Sequence, residues 1–321
     1  MRESSVSVVI PAFRITRYVA EAIDSVLRQT HPASEIIVVN DGCPDGANLE
    51  IALRPYLDDG RFRYIRQENR GLAGARNTGI RAAAGDFVAV LDGDDRLRPR
   101  ALEAWMEMMR ASERTGMVYG NGVFFGGTRL DGGELMTNYP SRARVVTFAD
   151  LVTRKSNSFA CAVFRRAHFL EAGLYDESMR KAEDFEMALR VARSGSLLEN
   201  TREVVYEYRV RPDGLSQSGG DLRAWRIRAL EKHRSLPGLT NEEQALVDAE
   251  LRYQYAEGAV DESRAALREG DYARARENLK AARRGMKSMR LAFVAMGLTA
   301  FPAVLRRWVV FRERDGSAGG Q

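Results

Sequence analysis

The sequence predicts an α/β fold, a parallel sheet with helices on its faces, followed by a helical extension. Three short Val/Ile-rich runs, at 6–10, 36–39 and 87–91, have the length and composition of buried strands. Helical patterns at 18–28 and 72–84 separate them, and that alternation is the rhythm of βαβ units. From about Leu222 the strand signals stop, and helical patterns continue to near the end.

In a parallel sheet ligands bind where the loops leave the carboxyl ends of the strands. The residues to watch are therefore Pro11 and Ala12, then Asn40 and Asp41, then Asp92, Asp94 and Asp95. Between 117 and 146 the chain is Gly-rich and strand-like, and a helical pattern returns at 182–194, so the middle reads as α/β to α+β. A boundary is placed near 220, giving an α/β domain over 1–220, a helical extension over 221–314 and a disordered tail over 315–321.

At 321 residues the chain has room for one large domain with an appendage. A composition of 45% hydrophobic and 29% charged residues is globular and excludes disordered and collagen-like classes. Cys43 and Cys161 lie far apart with no metal spacing around either, which fits a reducing compartment. The start leads at once into the first apolar run, so no signal peptide is expected. The expected location is cytoplasmic, peripheral on the inner face of the plasma membrane. No nucleic-acid partner is expected.

Leu91-Asp92-Gly93-Asp94-Asp95 puts three carboxylates into four positions at a strand end. Such crowding calls for an offsetting cation or hydrogen-bond network, and Mg²⁺ or Mn²⁺ bridging to phosphate is one remedy. An exposed acidic turn is the plainer alternative. Glu183-Asp184 opens the helical pattern, where the macrodipole alone favours acidic residues. His31, His168 and His233 are isolated and read as structural or solvent-facing. Gly71, Gly74 and Gly79 lack dinucleotide-fingerprint spacing and read as sites of tight turns or close backbone approach.

Four segments in order carry a resemblance: VSVVIPAF at 6–13, EIIVVNDGCPDG at 35–46, QENRGLAGARNTGIRAAAGDFVAVLDGDD at 67–95, and FRRAHFLEAGLYDESMRKAEDFEMALRVARSG at 164–195. Together they resemble the family 2 glycosyltransferases, whose nucleotide-diphospho-sugar transferase (GT-A, Rossmann-like) fold is implied for this chain. The resemblance implies that Pro11 and Ala12 line the nucleotide pocket, Asp41 reads the base and Arg76 lies near it. It further implies that Asp92 contacts ribose or metal, Asp94 binds Mg²⁺ or Mn²⁺, and Asp184 is the catalytic base. Glu183 and Arg211 are implied acceptor or phosphate contacts. Asn40 and Cys43-Pro44 depart from the family's acidic loop, and Arg211 stands where a His is frequent.

The implied activity is inverting, metal-dependent transfer from a uridine-linked sugar nucleotide to a glycan or lipid-linked acceptor in bacterial polysaccharide biosynthesis. A sugar nucleotidyltransferase would carry a Gly-rich, basic loop after the first strand, which Pro11-Ala12-Phe13 is not. A non-catalytic binding or scaffold subunit is the other alternative, opposed by intact Asp94 and Asp184.

The extension has two helical patterns over 245–284, joined at Glu269-Gly270-Asp271, and ALREGDYARARENLKAA resembles half of a tetratricopeptide-type hairpin. Over 276–314 there are ten basic residues against two acidic ones. Within it 291–305 is apolar but shorter than the roughly 20 residues that span a bilayer. An interfacial helix with peripheral membrane contact and a buried terminal helix are the two readings.

Overall fold

The computed structural model describes residues 5–126, 135–136, 144–156, 161–211, 214, 219–286 and 288–308. It divides into two compact units, residues 1–229 and 230–321, with the division inside one helix, α8 (Gly219–Ser235). The predicted tail over 315–321 and most of 127–143 lie outside the described residues.

The first unit is built on a nine-stranded sheet among the described residues. Strands β1 (Val6–Ala12), β2 (Glu35–Asp41), β3 (Phe62–Gln67) and β4 (Phe87–Val90) form a parallel half in the order β3-β2-β1-β4. Beyond β4 the sheet becomes mixed. β8 (Ala162–Arg165) pairs antiparallel with β4 and with β6 (Thr115–Phe125), and β9 (Leu197–Arg209) runs parallel to β6. Two-residue strands β5 (Arg96–Leu97) and β7 (Val145–Val146) pair with β9.

All residues of β1 and β2 are buried, as expected of parallel strands covered on both faces. Helix α3 (Gly71–Ala82) packs on this pair, and Gly79 makes the approach possible: a Cβ there would lie 2.3 Å from Val9 Cγ1. Helices α1 (Val19–Leu27) and α4 (Ala101–Ala111) each bury an apolar face, that of α4 centred on Trp105, Met106 and Met109.

The strands run further than their apolar runs. The ladder continues through Pro11↔Val39, Ala12↔Asn40 and Asp41↔Gln67, so these residues sit in the last rungs of β1 and β2 and not in the loops after them. The short helices α2 (Gly46–Leu53), α5 (Phe148–Val152) and α6 (Arg166–Glu171), together with the half-exposed edge strand β3, complete the described elements ahead of helix α7 (Glu183–Arg193).

The second unit contains α9 (Asn241–Glu269), α10 (Tyr272–Gly285) and α11 (Met289–Ala300). Thr240 and Glu243 form a reciprocal capping box at the start of α9, and Gly270 ends it in the left-handed conformation at φ 83°. Asp271 then caps α10, accepting from the Arg274 amide, so α9 and α10 join at the residues the sequence indicated. Ala266, Leu267, Ala275, Leu279 and Leu298 form the core of this unit. The apolar run over 291–305 is broken at Phe301-Pro302, with α11 ending before it, because proline cannot continue a helix as a donor.

Candidate active site

The Asp92–Asp95 segment leaves β4 as a tight turn, with the Asp95 amide donating to the Asp92 carbonyl at 3.0 Å. Gly93 is required there: a Cβ would sit 2.8 Å from the Pro11 carbonyl oxygen and from Ile15 Cδ1. The end of β1 and the acidic turn are therefore in direct backbone contact.

Three arginines offset the crowded carboxylates. Arg76, on α3 and only 1% exposed, donates through Nη2 to Asp92 Oδ1 and through Nη1 to Glu183 Oε1, each at 2.6 Å. Its guanidinium also lies 5.3 Å from the centre of the Tyr175 ring. Arg211 Nη1 stands 3.1 Å from Asp94 Oδ2. The backbone amide of Arg209 donates to Asp95 Oδ1 at 2.8 Å, and its side chain donates to the Asp94 carbonyl and to Glu21. Asp95 is 3% exposed, so this is no exposed acidic turn.

Burial raises the Asp94 carboxyl above its ordinary value, the Asp92 charge raises it further, and Arg211 opposes both. Asp95 is held well above the carboxylate range by burial and by its two acidic neighbours.

The first turn of α7 carries Glu183, Asp184 and Glu186. Glu183 is held by Arg76, and the fully buried Glu186 is clamped by Arg190, which also donates to the Leu174 carbonyl. Ala182, just ahead of them, takes the left-handed conformation at φ 56°, unusual for a residue with a Cβ. Asp184 is partly exposed and accepts from the Phe185 amide at 2.7 Å. Burial and then the adjacent Glu183 push its carboxyl up to about 6, against the pull of Arg76.

Asp41 joins none of these pairs. Its buried carboxylate accepts from Gln67 Nε2 at 2.7 Å and from the Arg70 amide at 2.8 Å, which pins the 67–70 segment to the end of β2. Asn40 uses both ends of its amide, donating to Tyr64 Oη and accepting from the Cys43 amide. Pro11 and Ala12 are buried in β1.

The structure thus brings Arg76, Asp92 and Glu183 together, places Asp94 with Arg211, and sets Asp184 next to Glu183. Sequence reasoning gave no part to Arg209, whose backbone and side chain both grip the acidic turn. Its signal was its place two residues before Arg211, at the end of strand β9. Glu177, ahead of α7, ties its segment to α3 by accepting from Arg70 and Asn77.

Asp94 offers one carboxylate of the kind a hard divalent cation takes, and Arg211 stands against it. Among the described residues no three His, Cys, Asp or Glu side chains converge to form a protein cage. Mg²⁺ commonly takes one or two carboxylates and completes its shell with water and substrate phosphates. Arg76 and Arg211 already stand against Asp92 and Asp94, so a cation at Asp94 would share that carboxylate with Arg211 or displace it.

Known proteins share this architecture. The crystal structure of TarS residues 1–349 from S. aureus superposes with a TM-score of 0.64 at 16% identity, covering 97% of this chain and 92% of that one. The same protein in complex with UDP-GlcNAc gives 0.65 at 14% identity. At these identities the likeness is one of fold. Among sequences, the uncharacterized glycosyltransferase EpsJ of Bacillus subtilis (strain 168) is 32% identical over 224 residues, covering 66% of this chain and 63% of its own length. Chondroitin synthase of Escherichia coli is 29% identical over 192 residues, 59% of this chain and 27% of that one. The chain thus spans less than two thirds of these relatives. The family model described as Glycosyl transferase family 2 matches residues 7–172, just over half of the chain and the whole of the parallel half-sheet with its acidic turn. On that match the chain belongs to glycosyl transferase family 2.

Proposed function

We propose that this protein transfers a sugar, with inversion, from a uridine diphosphate sugar to a hydroxyl of a glycan or lipid-linked acceptor. The observation that carries the reading is the placement of Asp184, a partly exposed carboxylate next to Glu183, which the buried Arg76 ties to the acidic turn after β4, and its surroundings raise its carboxyl above the ordinary value. A general base works best with a pKa near the working pH, and few carboxylates reach that range without such surroundings.

Asp184 takes the proton of the acceptor hydroxyl. That oxygen forms a bond to the anomeric carbon while the bond from that carbon to the diphosphate breaks, and the electron pair leaves with the diphosphate. One displacement inverts the configuration, so no second carboxylate is needed as nucleophile. Asp94 would hold Mg²⁺ or Mn²⁺ together with donor phosphates, where the cation would neutralise charge on the leaving diphosphate. Arg211, beside Asp94, has the planar fork suited to a phosphate oxygen pair. Pro11, Ala12 and Asp41 bound the nucleoside end, with Asp41 fixed by its bonds to the 67–70 segment.

Incubation with a panel of uridine and other nucleotide sugars, with and without Mn²⁺, and measurement of released nucleotide test this reading. Release that is equal with and without metal would remove the cation from it, and no release from any sugar nucleotide would remove the activity.

A further inference from the structure

We propose that the second unit docks on an anionic lipid surface through the outer face of α11 and the turn of helix that follows it. The inference stands apart from the catalytic reading, since every residue it uses lies between 276 and 308.

Helix α11 is apolar on two opposite faces. On one, Leu298 is buried in the core of the unit, with Leu291, Val294 and Ala295 packed around it. On the other, Met289, Phe293 and Met296 follow at steps of four and three residues, which places them in one row. They are 77%, 62% and 58% exposed. At and beyond the Phe301-Pro302 break, Phe301, Val304 and Trp308 are also more than half exposed, while Leu305 packs inward. Six large apolar side chains on one short stretch form the kind of patch that marks an interaction site, since scattered surface apolar residues need no such explanation.

Charge selects the occupant. Between 276 and 308 the sequence holds eight Lys and Arg residues and one acidic residue, Glu277. Arg283, Arg284, Arg290, Arg306 and Arg307 are exposed at the two ends of the apolar row. An apolar row between basic ends matches acyl chains below and anionic headgroups beside them. Spanning is ruled out by length: twelve residues of helix cover about 18 Å, against a hydrocarbon core of about 30 Å. Among the described residues no helix is long and apolar enough to cross a membrane. The segment therefore lies in the plane of the interface, with Trp308 at headgroup depth.

The test is flotation of the full chain with vesicles of phosphatidylcholine alone and of phosphatidylcholine containing about one third phosphatidylglycerol. The wild type should float with the anionic vesicles, and raising salt from about 0.1 M to about 0.5 M should weaken it. The double variant Phe293→Ser/Met296→Ser should bind at least about tenfold more weakly with unchanged melting, since both side chains are already exposed. Arg290→Glu/Arg307→Glu should lose the preference for anionic vesicles. Absence of wild-type binding, or equal binding by the apolar double variant, would overturn the proposal. So would light scattering that shows a dimer dissolved by Phe293→Ser/Met296→Ser without any vesicle binding, which would make a second copy the occupant.

Discussion

Arg76 donates to Glu183 at 2.6 Å across 107 residues of sequence, and its other terminal nitrogen holds Asp92 at the same distance. A single buried guanidinium thus fixes the first turn of α7 to the acidic turn after β4. The residue proposed to accept a proton is Glu183's neighbour. The residue proposed to meet the cation is two from Asp92. The spacing between the two halves of the site depends on this side chain.

Arg76→Met should destabilise the first unit by about 3–5 kcal/mol, because it leaves two carboxylates facing each other without their buried counter-charge. Arg76→Lys keeps the charge but cannot span both partners with a rigid fork, so its loss in stability should be smaller while turnover still falls. Thermal melting and transfer rate on the two variants check this. A Met variant that melts within a degree of wild type would show that the pairs are not structural.

The route by which these residues meet explains what the sequence disclosed. Buried parallel strands announce themselves locally, so β1, β2 and β4 were legible as Val/Ile runs, and the positions after them drew attention to Asp41, Asp92 and Asp94. Edge strand β3, FRYIRQ, is only half-buried and mixes polar and apolar residues without strict alternation, so it gave no such signal. The partners of Arg76 lie 16 and 107 residues away, and those of Arg209 lie 114 and 188 away. No local pattern encodes pairings of that range. The resemblance could therefore name Arg76 without showing that it is the buried link between Asp92 and Glu183. The helical hairpin in the second unit was readable because Gly270 and Asp271 are local punctuation.

Asp94→Ala should abolish the Mn²⁺ dependence of UDP binding. The buried Arg76 holds Asp92 and the Arg209 amide holds Asp95, while at Asp94 the cation would share the carboxylate with Arg211 or displace it. Calorimetry of UDP with and without Mn²⁺ measures it. A wild type whose UDP affinity ignores Mn²⁺ would remove the metal role from Asp94.

Asp41→Ala should weaken UDP binding by about 1.5–3 kcal/mol, the value of a hydrogen bond to a charged group, with little change in Mn²⁺ affinity. Because the carboxylate also accepts from Gln67 and the Arg70 amide, Asp41→Asn is the sharper variant. Its side-chain oxygen can still accept from Arg70 while the charge is gone. Equal UDP affinity in Asp41→Asn and wild type would leave Asp41 with a structural role only.

Asp184 provides the pH prediction and its own control. With the free enzyme's carboxyl at about 6, the base is protonated below that pH, so kcat/KM should rise as pH passes through about 6 and level off above it. Stability should move the other way. A carboxyl whose folded value is raised above the ordinary 3.8 binds its proton more tightly in the folded state, so its contribution is fully present below about 4 and is lost as pH rises through about 6. At neutral pH the charge sits in surroundings that favour the neutral carboxyl and so costs stability. Asp184→Asn removes that charge, keeps an oxygen to accept from the Phe185 amide and keeps the volume. It should therefore melt higher than wild type at pH 7.5, bind UDP as wild type does, and lose turnover by at least about 10². A merely helix-stabilising Asp184 gives the opposite sign, a loss of about 0.3–1 kcal/mol with near-normal turnover. Melting temperature and transfer rate on this one variant, each measured across pH 5 to about 8, separate a base held in readiness from an acidic first turn.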